Sequence, residues 1–173
     1  MSYIVMALVL LISIVLQSLF QPIHFLGGAS YPFLCSVVLY YGFMHGRGMM
    51  MVSALAAGVL YDSLSPMMPL GYSSVCFAAV IWMAGMFRSY VISDSVLTPM
   101  FFGMVCSIAV NIMMWLMLVS SDVVDMSFWQ MLLKSAGTGV IALVVTPVIF
   151  SLAGRMDRLV GNIEEVDSLN EYE

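Results

Sequence analysis

The first charged side chain in this sequence is Arg47; from Met1 to Gly46 there is no Asp, Glu, Lys or Arg. A solvated surface relies on those four residue types, so this stretch could not keep a domain soluble in water. Its solvent is a bilayer. The rest of the chain agrees, with 62% hydrophobic and 9% charged residues, against roughly 45–50% and about 25% in an ordinary soluble domain. At about 20 residues per helical crossing, the 173 residues allow five or six crossings and leave no room for a separate soluble domain. With 5 Lys+Arg, 10 Asp+Glu and a net charge of −5, the chain lacks the electrostatic footprint of nucleic-acid binding. The alternation expected of a membrane β-barrel is absent.

Punctuation divides the apolar sequence into six runs. Tyr3 to Phe20 lacks a basic leader and a small-residue cleavage site, so it reads as a retained helix and not a signal peptide. Gln21-Pro22 ends it, and Gly27-Gly28-Ala29-Ser30 makes a loop before Pro32, a residue favoured in the first turn of a helix. The following runs are about Tyr31 to Met44, Met49 to Leu64, Leu70 to Phe87, Leu97 to Val119 and Met131 to Leu152. The second and third are short for a crossing, which calls for thinned lipid, polar extensions or shielding by other helices.

Basic residues in short loops stay cytoplasmic, whereas acidic ones count for little. With six crossings, Arg47, Arg88, Arg155 and Arg158 fall on the side of the N-terminus. The loops at about 21–30, 65–69 and 120–130 hold no Lys or Arg, and Lys134 near the outer end of the sixth run can snorkel outward. Five crossings would break this segregation. The expectation is therefore an all-α, six-helix membrane domain over residues 1–158, both termini cytoplasmic, followed by an acidic, disordered tail over 159–173.

Catalytic chemistry leaves few traces. His24 and His45 fall on opposite faces in this topology, and none of the metalloprotease, dithiol or phosphate-loop motifs occurs. Cys35, Cys76 and Cys106 lie inside apolar runs and read as small buried hydrophobes. Asp122 and Asp125 could form a carboxylate couple but read as solvated loop charges. The 18 methionines could bind copper through thioethers; gap-filling helix residues account for them better. Trp82, Trp115 and Trp129 suit lipid-facing and belt positions.

Asp62 is the only acidic residue before Ser93 and ends the third run in Gly58-Val59-Leu60-Tyr61-Asp62-Ser63-Leu64-Ser65-Pro66. A carboxylate at that depth costs a few kcal/mol and needs a partner. Either it binds a substrate or proton in a cavity, or it caps a helix and accepts backbone N–H bonds where the chain re-enters the membrane; the latter is expected, with Pro69-Leu70-Gly71 opening the next helix. Small residues recur one turn apart, as in Ala54/Gly58 and Ser53/Ala57, a spacing that lets helices approach in lipid. Their concentration in Ser53-Ala54-Leu55-Ala56-Ala57-Gly58 predicts that the third helix is central. Asn111, in the fifth run, is expected to make an interhelical hydrogen bond.

The stretch Ala54-Leu55-Ala56-Ala57-Gly58-Val59-Leu60-Tyr61-Asp62-Ser63-Leu64, followed by Pro69-Leu70-Gly71, resembles the signature of the MreD family of bacterial rod shape-determining proteins. Leu16-Gln17-Ser18 at the end of the first run, Pro32 at the start of the second and Val37-Val38-Leu39-Tyr40-Tyr41 within it agree, and the likeness in length and span order covers about residues 3–158. Phe33 departs from the family, in which many members carry a polar or acidic residue after the proline, so no polar role is expected there. The resemblance implies a non-enzymatic subunit, without cofactor, of the complex that elongates the peptidoglycan wall, placed in the bacterial inner (cytoplasmic) membrane. It would associate with the bitopic protein MreC and, through it, with the RodA glycosyltransferase, penicillin-binding protein 2 and MreB filaments. The implied fold is similar to the substrate-binding subunits of energy-coupling-factor transporters. The expected mechanism is docking of partner transmembrane helices on a small-residue surface, with Asp62, Gly58, Ala54, Ala57, Gly71, Pro32 and Asn111 as the residues that build it. The main alternative is a transporter subunit holding a small ligand near the outer face through Asp62 and Asn111; a small intramembrane enzyme is a third.

Overall fold

Each of the six apolar runs is a helix in the computed structural model, which describes residues 2–20, 22, 28–45, 47–64, 71–86, 97–120 and 127–159. The helices are α1 (Ser2–Leu19), α2 (Phe33–Met44), α3 (Arg47–Leu64), α4 (Tyr72–Met86), α5 (Leu97–Ser120) and α6 (Phe128–Leu159). No strand occurs among the described residues. Two helices, 97–120 and 128–158, are long and apolar enough to cross a membrane; the other four are shorter apolar helices.

Local chemistry sets the helix ends. Pro32, with φ −86°, precedes α2; its carbonyl accepts both the amide (3.1 Å) and the hydroxyl (2.9 Å) of Ser36. His45 leaves α2 in an extended conformation while its amide still closes on Tyr41 O. Before α4 stands Gly71 at φ +105°, a region that L side chains rarely adopt. Within α6, Pro147 has no amide hydrogen to give to the carbonyl four residues earlier.

The centre of the bundle is α2. It packs against each of the other five helices and is buried without a break from Leu34 to Phe43. Its 12 residues span only about 18 Å, short of a hydrocarbon core of about 30 Å, and its neighbours shield it on every side. This differs from the expectation that α3 is central. One face of α3 is buried through Ser53, Ala54 and Ala57, while Met51, Val52, Leu55 and Val59 face outward. The small residues of α3 make one tight seam and leave its other face to the surroundings.

Successive helices run in alternating directions. Gln17 near the end of α1 accepts a bond from the amide of Leu34 at the start of α2 (3.4 Å). Gly42 near the end of α2 and Gly85 near the end of α4 both face Met50 at the start of α3. Gly103, early in α5, meets Thr146, which also bonds Ser36 of α2 at 3.1 Å. The last helix continues to Leu159, past the apolar run that ends at Leu152, because Ala153 and Asp157 prolong its buried face. Outward-facing positions are apolar along the bundle, including Leu11, Val59, Met83, Phe101 and Val144.

Candidate functional site

Asp62 closes the α3–α4 hairpin. Its side chain is 3% exposed; Oδ2 accepts from the Gly71 amide at 2.7 Å and Oδ1 from the Ser73 amide at 3.3 Å. The Gly71 amide immediately precedes α4 and the Ser73 amide lies in its first turn, where N–H groups have no helical partner and the helix dipole favours an anion. The carboxylate thus exchanges water for two charge-assisted bonds, worth about 1.5–3 kcal/mol each. This is the capping role expected from the sequence.

The same hairpin consumes the small residues. A Cβ built on Gly58 would collide with the backbone of Ser74, and the Ser74 hydroxyl donates to Leu55 O across the seam at 3.2 Å. Ala54 and Ala57 are fully buried. A second close seam joins α5 to α6, with Gly103 against Thr146, and Gly139 against Ile108 and Met104. These residues pack the chain against itself. They are not the exposed small-residue surface that the sequence suggested for a partner, because the intramolecular hairpin partner already occupies the close approach.

Toward the end of the bundle that holds the start of α2 lies a cavity of about 30 Å³, lined in part by Gln17, Pro32, Ser107, Asn111 and Thr138. That volume accommodates a water molecule or two, far below the roughly 300–1,000 Å³ of a small-molecule site. Asn111 lines it, but its amide nitrogen donates to Ser107 O of its own helix at 2.9 Å, not to a neighbouring helix as expected. Asp62 does not line this cavity.

At the opposite end is a cluster that reading the sequence missed. Asp157 on α6 is fully buried; its Oδ2 accepts from the Tyr40 hydroxyl at 2.9 Å and lies 3.8 Å from His45 Nε2. Its Oδ1 and the hydroxyl of Tyr41 have no hydrogen-bond partner. The signal was present: Ser135, Gly139, Ala142, Thr146, Ile149 and Ala153 form a buried stripe along α6, and Asp157 is its next member. Flanked by Arg155 and Arg158, it resembled a solvated tail residue.

The three cysteines are free and buried. Trp82 and Trp129 are exposed, and the Trp115 ring meets Phe128 at 6.0 Å. Met50 is buried whereas the adjacent Met51 faces outward. Among the described residues no group of three His, Cys, Asp or Glu side chains could hold a metal ion. His24, Arg88, Asp122, Asp125 and the acidic tail from residue 160 lie outside the described residues. Compared with protein-family models, with curated proteins and with solved structures, the chain matches none.

Proposed function

We propose that this chain is a six-crossing, non-enzymatic membrane scaffold of the machinery that elongates the bacterial wall, resembling the MreD family, with both termini on the cytoplasmic side. The observation that carries the scaffold reading is the use made of Asp62. The one carboxylate in the first half of the chain is spent on capping α4, and the cavity beside Asn111 neither includes it nor has room for a substrate. The transporter-subunit reading needs Asp62 and Asn111 to converge on a ligand, and each is bonded to backbone instead. Six crossings are supported by the alternating helix directions and by the large apolar side chains on the outside of α1, α3, α4, α5 and α6. The orientation is supported by the segregation of Arg47, Arg88, Arg155 and Arg158.

The test is purification of the tagged chain from its native membrane in mild detergent, with identification of bound proteins and small molecules. Recovery of the bitopic partner MreC, with RodA and penicillin-binding protein 2 in substoichiometric amounts, is the expected result. A stoichiometric small molecule together with an ATPase module would replace the scaffold reading by the transporter one.

A further inference from the structure

Among the described residues two carboxylates are buried, in opposite surroundings, and the difference assigns a function to the second. Asp62 lies at a helix N-terminus and accepts two amides. Asp157 lies in the last turn of α6 and beside the C-terminal end of α2, where both helix dipoles oppose an anion and favour a cation. One oxygen has a single hydroxyl donor, the other has no partner, and the side chain is fully buried. A buried carboxylate with so few donors calls for a positive partner. His45, the residue that ends α2, brings Nε2 to within 3.8 Å of the same oxygen. A protonated imidazole there is favoured by the α2 C-terminus and supplies the missing charge.

We propose that His45 and Asp157 form a proton-binding site at the basic end of the bundle, the two side chains holding one proton between them. The imidazole carries that proton beside the carboxylate, and the pair is then neutral overall. Without it, a net negative charge would remain among Tyr40, Tyr41 and two helix C-termini. Among the described residues, other titratable and charged groups also face this end. Tyr40 and Tyr41 are the hydroxyls of α2; Arg155 and Arg158 on α6 are exposed, and the charge of Arg158 reaches Tyr40 in the same cluster. The first turns of α5 (Leu97–Phe102) and the last of α4 (Ala84–Met86) carry no titratable side chain. On α1 the nearest such group by position is Tyr3, which is exposed, and α3 begins with Arg47. The site would tie the α2 end to the α6 end and make that junction responsive to pH near neutrality.

The sequence has two histidines, so His24→Gln leaves a single imidazole to observe. The full chain, labelled with ¹⁵N-histidine and held in lipid nanodiscs, is titrated while the His45 ring nitrogens are followed by NMR. The expected result is that the ring keeps its proton to a pH higher by roughly one unit or more, tenfold in proton concentration, than in the Asp157→Asn variant. Coincident titrations in the two proteins overturn the proposal. Should Asp157→Asn not be recovered as a single folded species, Tyr40→Phe decides. Removing the hydroxyl from Oδ2 makes the carboxylate depend more on His45, so the ring should hold its proton to a still higher pH; an unchanged or lower titration overturns the proposal.

Discussion

Gly58→Ala is the smallest change that tests the α3–α4 seam. The added Cβ would meet the Ser74 backbone, with the Ser74 Oγ also at 2.5 Å. A flexible side chain could turn aside, but here backbone blocks the methyl, so the two helices must separate. Overpacking of this kind costs about 1–3 kcal/mol. Separation also stretches the 3.2 Å bond from Ser74 to Leu55 O, worth about 1 kcal/mol. The better helix propensity of alanine returns up to about 1 kcal/mol. A net loss of about 2 kcal/mol remains, roughly 30-fold in the folded-to-unfolded ratio. The assay is thermal unfolding of the purified chain in nanodiscs, followed by tryptophan fluorescence and by recovery from size-exclusion after heating. The control is Val59→Leu, one residue along on the outward face, where Val59 is 50% exposed. Gly58→Ala should melt clearly below that control, and Gly58→Leu lower still. If all three unfold together with the unsubstituted protein, the helices do not approach as closely as described and the account of the small residues is wrong.

Four further outcomes follow from the same geometry. Asp62→Leu leaves the Gly71 and Ser73 amides without an acceptor and should cost about 2–4 kcal/mol, whereas Asp62→Asn keeps one acceptor and should cost about half as much in the same melting assay. Gly71→Ala meets no atom within 4 Å, but φ +105° strains any side chain, so a loss of about 1–3 kcal/mol is expected without a change in the oligomeric profile on size-exclusion. Gly48→Ala, in the first turns of α3 with open space around it, should instead raise the melting temperature slightly, by about 0.5–1 kcal/mol of helix propensity. An alkaline phosphatase reporter fused after Arg158 should be inactive and one near Asp122 active; the reverse pattern would invert the topology.

The helices were legible because Pro, Gly and polar clusters break the apolar sequence into runs of helical length, so each apolar run between breakers reads directly as an element. Pro32 and Gly71 marked helix starts for the same reason: each restricts or permits the backbone in a way visible in its own chemistry. The role of Asp62 was legible too, since a carboxylate at a helix end followed by a helix start has amides close by. The identity of the central helix was not. Small residues in α3 promised close packing, but close packing occupies one seam, and a helix can have a tight seam and an outward face together. The core helix α2 is distinguished by burying Leu39, Tyr40 and Tyr41 in succession, and nothing in a uniformly apolar run separates a side chain facing protein from one facing lipid. Met50 and Met51 make the point: adjacent and identical, they are 3% and 39% exposed. Asp157 escaped notice because its neighbours Arg155 and Arg158 gave the segment a solvated character that the geometry of α6 overrides.

The internal use of the small residues changes how the scaffold reading must be tested. Gly58, Ala54, Ala57 and Gly103 hold the chain to itself, so a variant at any of them that loses its partner has first lost its fold, and the loss says nothing of a docking surface. On that reading, a partner helix arriving through the bilayer would meet Leu11 on α1, Leu55 on α3, Met83 on α4, Leu116 on α5 or Val144 on α6, all exposed. Association in lipid rests on van der Waals fit, because lipid tails are as apolar as these side chains. Replacing one of them by tryptophan leaves the bundle interior intact but spoils the fit on one face. The expected outcome of such a set is that at least one variant melts like the unsubstituted protein and yet fails to recover MreC, with the amount of protein in the membrane held equal. If all five retain the partner as well as the unsubstituted chain does, association through a transmembrane face is wrong, and the scaffold reading would have to rest on the extramembrane segments.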